Sequence, residues 1–244
     1  MTHTILITGG SAGIGAATAR LAAKRGHDVI LTYCNDRTRA DAVGADIRAL
    51  GQSAQVIQCD VADPTQIEAM YASIPKTTSL HLVNNAGIVD QAAPVAEMTA
   101  ERVANMFQIN VVGAFMVAKG AIQHMRNAGQ TGHIVNLSSA AARLGSANQY
   151  VDYAASKAAI DTFTIGLADE LAPEGIRVNA VRPGLIKTDI HAKGGQPDRL
   201  ERLSNSIPLG RSGSAEEVAE TILWLLSDQA SYVTRTLLDV AGGR

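Results

Sequence analysis

A chain of 244 residues, 46% of them hydrophobic and 18% charged, has the material for one large core and the polarity of an ordinary globular protein. Its formal net charge of -2 and the absence of any block of like charge leave no electrostatic footprint for nucleic acid or an anionic membrane. A secretory leader, a run of membrane-spanning length, a metal-ligand pairing and a disulfide framework are all missing from the pattern, so Cys34 and Cys59 read as packing residues and the expected setting is the cytoplasm.

Short β-branched runs alternate with alanine-rich segments of helical period. "HTILIT" precedes a helix over 13–26, "DVILTY" one over 36–50, and "SAQVIQC" one over 64–74. "LHLVNN" is a fourth strand, followed by one long helical stretch from about Thr99 to Met125; "GHIVNLSS" is a fifth, followed by a helix to about Leu171. "IRVNAVRPG" and "TLLDVAGG" complete seven strands. That alternation predicts an α/β fold, a doubly wound parallel Rossmann sheet with helices on both faces, in a single domain over 1–244. The stretch 185–213 breaks the alternation. It is polar, lies beyond the carboxyl end of the sixth strand, and is expected to be a substrate-binding flap.

Chemistry-bearing residues gather at the expected carboxyl ends of the strands. "ITGGSAGIG" places Gly9, Gly13 and Gly15 between a strand and a helix, where a tight turn and a helix N-terminus suit a pyrophosphate. Asp60 ends the third strand and could accept a hydrogen bond from an adenine amino group, whereas Asp63 suits a helix N-cap. "NNAG", 84–87, ends the fourth strand, and its Asn side chains suit a sharp turn. Asn110 interrupts an apolar helical stretch and needs a hydrogen-bond partner there. In "QYVDYAASK", Tyr153 and Lys157 are four apart and share a helix face, while Tyr150 lies nearly two turns from the lysine. A tyrosine with an ordinary pKa of about 10 needs such a cation to act as an acid or base near neutrality.

"TGGSAGIG", "NNAG", Asn110, Ser139, "YAASK" and "RPGLIKT", in that order and across the whole chain, resemble the short-chain dehydrogenase/reductase family in its compact, single-domain branch. The resemblance implies a catalytic tetrad of Asn110, Ser139, Tyr153 and Lys157. It implies cofactor contacts from Gly9, Ser11, Gly13, Ile14 and Gly15; from Tyr33, Asn35 and Arg37; from Asp60 and Val61; from Asn85, Ala86 and Gly87; from Tyr153 and Lys157; and from Pro183, Gly184, Ile186 and Thr188. No metal is implied. Hydride then passes between nicotinamide and a carbonyl or carbinol carbon, Tyr153 moves the proton, Lys157 lowers the phenol's pKa, Ser139 bonds the reacting oxygen, and Asn110 holds a water leading from Lys157 to solvent.

Departures from the family pattern bear on the choice of cofactor and substrate. Ala12 stands where NADP-dependent relatives often carry a cation, and "TYCNDRTR" ends the second strand without the acidic residue common in NAD-dependent ones. Arg37 and Arg39 could reach a 2'-phosphate, or could simply pair with Asp36 and Asp41. NADP is the preferred cofactor and NAD the alternative. "NAGQTG" and "APEG" lack the cations with which the family's acyl-carrier-protein reductases meet their carrier, so a small free carbonyl or alcohol is expected, of keto ester, sugar or polyol type. His191, Lys193, Arg199 and Arg202 could contact it from the flap. The family implies a homotetramer or homodimer, and Arg235 stands where relatives place Gly, which costs stability if a positive φ is required. Two other readings compete: a cofactor-sensing regulator without catalysis, which the retained Tyr153 and Lys157 oppose, and an isomerase or dehydratase that keeps its cofactor.

Overall fold

The computed structural model describes residues 3–244, apart from the side chains of His191 and Lys193. Seven parallel strands, β1 (Thr4–Ile7), β2 (Asp28–Tyr33), β3 (Ala54–Gln58), β4 (Leu80–Asn84), β5 (Ile134–Leu137), β6 (Val178–Pro183) and β7 (Leu237–Val240), form one sheet in the order β3-β2-β1-β4-β5-β6-β7. The chain reverses its direction of travel across the sheet between β1 and β4. Open α/β sheets bind ligands in the crevice at that point, beyond the carboxyl ends of the strands.

Period-two side-chain alternation sends each strand's residues to opposite layers. Ile5, Ile7, Val29 and Leu31 face α1 (Gly13–Lys24), α2 (Arg37–Ala49) and α10 (Ala215–Leu226). Leu6, Ile30, Leu82 and Ile134 face α3 (Pro64–Ala72), α5 (Ala114–Ala128) and α7 (Val151–Leu171). These two buried layers are the core that the seven-strand reading predicts. Burial of Asp60's neighbour Val61 and of Cys59 belongs to the second layer, and Cys59 is a packing thiol that burial pushes up to about 11.

Helix ends follow local chemistry. Asp63 caps α3 by accepting from the Thr65 N–H at 2.9 Å, Asp36 caps α2 through the Arg39 N–H at 3.0 Å, and Ser214 with Glu217 forms a capping box on α10. The long helix expected from Thr99 to Met125 is instead divided into α4 (Ala100–Phe107), a π-helical turn over Gln108–Gly113, and α5. Propensity and periodicity could not show this, because the widened turn goes with long-range bonds from the Asn110 side chain to the backbone of Ile88. Short helices α6 (Ala141–Leu144), α8 (Ile190–Lys193) and α9 (Arg199–Leu203) lie in the connections after β5 and β6.

Arg235 has φ of +65°, the left-handed conformation that favours glycine. Two contacts hold it there: its N–H donates to Val178 O at 2.7 Å, and its guanidinium pairs with Asp169 at 3.0 Å. An exposed pair of this kind recovers only part of a strain of order 1 kcal/mol.

Candidate active site

The turn from β1 into α1 is shaped for close approach. Gly9 and Gly13 have φ of +65° and +52°, and a Cβ on Gly15 would come within 2.4 Å of Gly9 O and 2.7 Å of Asn85 Nδ2. The first turn of α1 has no side-chain cap and no acidic residue, so its N–H groups and the positive end of the helix dipole face outward from the turn formed by Ser11, Ala12 and Gly13. Thr8, which the sequence reading passed over, locks this turn to the end of β4: its hydroxyl accepts from the N–H groups of Asn85 and Ala86 at 2.9 and 3.0 Å. Asn85 returns the contact, donating through Nδ2 to Thr8 O at 2.8 Å. The turn role read for the "NNAG" side chains is therefore present.

Beside it a cleft of about 320 Å³ is lined in part by Ser11, Gly13, Arg20, Arg39, Lys187 and Thr188. Thr188 leans over the glycine turn, where a methyl added at Gly13 would lie 3.3 Å from its Cγ2. Pro183 and Gly184 carry the chain out of β6, and Gly184 packs so close to Ala241 that a Cβ would meet its Cα at 2.7 Å. Ile186 is buried and bridges to Gly213, which closes the base of the 185–213 segment. Asp189 ties that segment to α2 through Arg39 at 2.6 Å.

At the end of β2 the predicted contacts separate. Tyr33 is buried in the first core layer, whereas Asn35 and Arg37 are exposed. Arg37 pairs with Asp41 at 3.3 Å and Arg39 with Asp36 at 3.3 Å, the pairing that the sequence reading weighed against phosphate recognition. Asp60 shapes the turn after β3 by accepting from Ala62 N–H at 2.9 Å. Its carboxylate is half-buried and Ile14, from the glycine turn, is likewise half-buried.

The four tetrad residues come from three parts of the chain, the π turn for Asn110, the end of β5 for Ser139 and α7 for both Tyr153 and Lys157, and converge at the carboxyl edge of β4 and β5. Asn110, from the π turn, is buried, accepts from Ile88 N–H at 2.8 Å, and donates to Ile88 O at 3.0 Å and Ser156 Oγ at 3.1 Å. Those partners satisfy the amide that looked costly in an apolar helix. Gly87 brings Asn110 and Lys157 together: a methyl there would lie 3.1 Å from Asn110 Oδ1 and 3.4 Å from Lys157 Nζ. Lys157 is buried, and its Nζ donates to Leu137 O at 2.7 Å and lies 5.8 Å from the Tyr153 ring centroid. Burial lowers the ammonium to about 8, with Asp161 opposing the shift. Burial also pushes the Tyr153 phenol above its ordinary value, against a hydrogen bond with Ser139 that lowers it. Ser138 and Ser139 divide their work. Ser138 Oγ donates to Lys157 O at 3.0 Å, whereas Ser139, half-buried, accepts from Ala141 N–H at 3.1 Å beside the phenol.

Tyr153 is held by residues that the sequence reading did not single out. Asp152, almost wholly buried, accepts from the Tyr153 N–H at 2.9 Å and from Arg102 Nε at 2.8 Å. Arg102 also donates to Gln91 O at 2.6 Å, which ties the loop after β4 to the start of α7. Nothing local could flag Arg102, which stands 50 residues from its partner. Ser156, inside "YAASK", had a visible position but no visible role; it donates to Tyr153 O at 2.7 Å while receiving Asn110. Tyr150, the other phenol of that motif, donates to Gly194 O at 2.8 Å and so binds the 185–213 segment. The side chains of His191 and Lys193 lie outside the described residues.

A family model described as enoyl-(acyl carrier protein) reductase matches residues 9–244. The chain is 49% identical over 243 residues to the uncharacterized oxidoreductase YgfF of Escherichia coli (strain K12), covering 98% of both chains. It is 37% identical to 3beta-hydroxysteroid dehydrogenase 1 of Eggerthella lenta, covering 98% of this chain and 92% of that one. A solved short-chain dehydrogenase from Burkholderia cenocepacia J2315 in complex with NADP superposes with a TM-score of 0.90 at 33% identity, covering 99% of this chain and 97% of that one.

Proposed function

Because the chain belongs to the short-chain dehydrogenase/reductase family and is an NAD(P)-dependent oxidoreductase of CH–OH and C=O groups, we propose that Tyr153 is its general acid/base, with Ser139, Lys157 and Asn110 as partners on a small carbonyl or alcohol. The observation that carries this reading is the convergence of Tyr153, Ser139 and Lys157 beside Gly87. A nicotinamide dinucleotide fits the residues present: the glycine turn leaves no room for a Cβ at Gly15, and the uncapped amides of α1 suit its pyrophosphate. Gly9, Ser11, Gly13, Ile14, Asp60, Val61, Asn85, Ala86, Pro183, Gly184, Ile186 and Thr188 would hold it. When bound, it supplies or accepts the hydride at the substrate carbon.

The chain's own groups do the proton work. Ser139 donates to the substrate oxygen and fixes it beside the phenol. With its pKa raised by burial, Tyr153 is protonated at neutral pH and can deliver that proton as the oxygen gains negative charge. Lys157, still charged below about pH 8, stabilises the resulting phenolate. Asn110 holds the loop at Ile88 and the helix at Ser156 in register, so its amide positions the wall of the site. The 185–213 segment serves as the flap over the substrate.

NADP(H) is the proposed cofactor. Asp36 is turned toward the α2 backbone and Arg39, which among the described residues leaves no unpaired carboxylate at the end of β2 to repel a 2'-phosphate, and Arg20, Arg39 and Lys187 border the adjoining cleft together with Asp189 and Glu216. Carrier-protein recognition has less support: Arg126, beside the loop before β5, is paired with Glu174 at 2.5 Å. Exposed Val112 and Phe115, the latter stacked on Phe163 at 3.8 Å, form an apolar face suited to burial in a homodimer, with a homotetramer built from it. The described residues contain no helix long and apolar enough to cross a membrane, and both cysteines are free, consistent with a reducing cytoplasm.

The test is a titration with NADPH and NADH followed by a carbonyl screen, with Tyr153→Phe alongside. NADPH should bind more tightly, and the variant should bind it normally yet lose about 10²- to 10⁴-fold in turnover. Tighter NADH binding refutes the cofactor preference; near-normal turnover in Tyr153→Phe refutes the mechanism.

A further inference from the structure

The flap carries a cation without an acid. Arg199, at the start of α9, is half-buried, with its guanidinium carbon 5.1 Å from the Tyr150 ring centroid. It donates to the side-chain oxygens of Gln149 and, at 3.0 Å, Gln196. Among the described residues no carboxylate lies within ion-pair distance of Arg199 or Arg202, whereas Arg102, Arg126 and Arg182 each have one. Arg202 donates to the same Gln196 oxygen at 2.6 Å, and Arg244 adds further positive charge to the surroundings of Arg199. Two amide oxygens and an aromatic face therefore hold a guanidinium whose charge remains uncompensated. Such a group costs free energy in the free protein and is relieved by an incoming anion.

Its place in the fold selects the anion. Tyr150 stands one helical turn before Tyr153, and its phenol is bonded to Gly194 of the flap. Gly194 packs on Val89, and Gly195 on Gln91, both in the loop that follows Gly87. Arg199 thus sits where the flap, the post-β4 loop and the start of α7 meet, against the two residues Gln149 and Tyr150 that lead into the helical turn of Tyr153. We propose that the substrate carries a carboxylate recognised by Arg199, with Arg202 assisting, so that the enzyme interconverts oxo acids and hydroxy acids. This rests on the oxidoreductase reading above and narrows its substrate class.

The probes are 3-oxobutanoate and 4-oxopentanoate, each paired with its methyl ester, which keeps the ketone and removes the charge. Two readouts are taken on wild type, Arg199→Gln and Arg199→Lys: thermal stabilisation of the cofactor-free protein by each probe, and KM and kcat with NADPH. Wild type should favour acid over ester by at least about tenfold, expressed in KM. Arg199→Gln should bring that ratio close to one, and Arg199→Lys should retain part of it, because a point charge without the planar fork still attracts a carboxylate. A purely structural loss would lower acid and ester alike and leave the ratio where it was, which overturns the proposal, as does an ester bound and reduced as well as its acid by wild type. Arg199-dependent stabilisation by the acids without any NADPH oxidation would instead keep the anion site and sink the oxidoreductase reading.

Discussion

The two edges of one sheet treat buried ionisable groups in opposite ways. At the carboxyl edge Lys157 is buried yet keeps partners, Leu137 O at 2.7 Å and the charge of Asp161, and its ammonium falls only to about 8. At the amino edge three imidazoles form a column, His3 tilted on His81 at 4.1 Å and His81 stacked on His133 at 5.1 Å, and among the described residues no acid is hydrogen-bonded to any of the three rings. Burial there pushes His81 down to about 2 and His133 down to about 4, so both rings are neutral. Burial alone discharges a group, whereas burial with a fixed acceptor and a counter-charge preserves the charge for use.

The largest expected effect comes from breaking the charged edge at its ion pair. Asp152→Ala strands Arg102 and frees the Tyr153 N–H, so unfolding in urea should show a loss of about 3 to 5 kcal/mol. A change under 1 kcal/mol would mean that solvent reaches the pair freely. Next is the neutral edge. Because the folded-state pKa values of His81 and His133 lie below the unfolded value near 6.5, the unfolded chain binds more protons between about pH 6.5 and 4, and stability falls as pH drops through that window. Each histidine contributes about 1.4 kcal/mol per pH unit once the unfolded form is protonated. His81→Asn, which retains an acceptor for the His133 N–H, should remove one proton's worth of slope in urea titrations from pH 7.5 to 5; an unchanged slope would show that the column protonates in the folded state. The smallest effect concerns Lys157. Reduction should decline above about pH 8, by up to tenfold per pH unit, as the ammonium discharges. A carbonyl-reduction profile flat to pH 10 would show that cofactor and substrate restore the lysine's ordinary affinity for its proton.

Much of the carboxyl edge was legible beforehand. Strand positions follow from β-branched runs, and the lysine-facing tyrosine follows from a spacing of four, because both depend on local periodicity. For Arg235 the sequence pattern supplies only a condition, a cost if the position needs a positive φ, and the structure meets that condition with a φ of +65°. Less legible were features whose partners lie far along the chain. Arg102 meets Asp152 across 50 residues, and the histidine column unites positions 3, 81 and 133, each unremarkable in its own segment. Tyr33 shows the same limit: its burial in the first layer is decided by how the helices lie on the sheet, which its place at a strand end does not reveal.

By itself, the amino-acid sequence determined the alternation of strands and helices, the glycine turn and the tyrosine–lysine face, since these express backbone preferences and side-chain periods within a few residues. Only the tertiary structure decided that Asn110 sits in a π turn bonded to Ile88, that Tyr150 fastens the flap, and that Arg199 keeps a charge with no acid beside it. Those outcomes depend on burial and on partners brought together by the crossovers of the sheet, and the energy of a buried polar group is set by such neighbours.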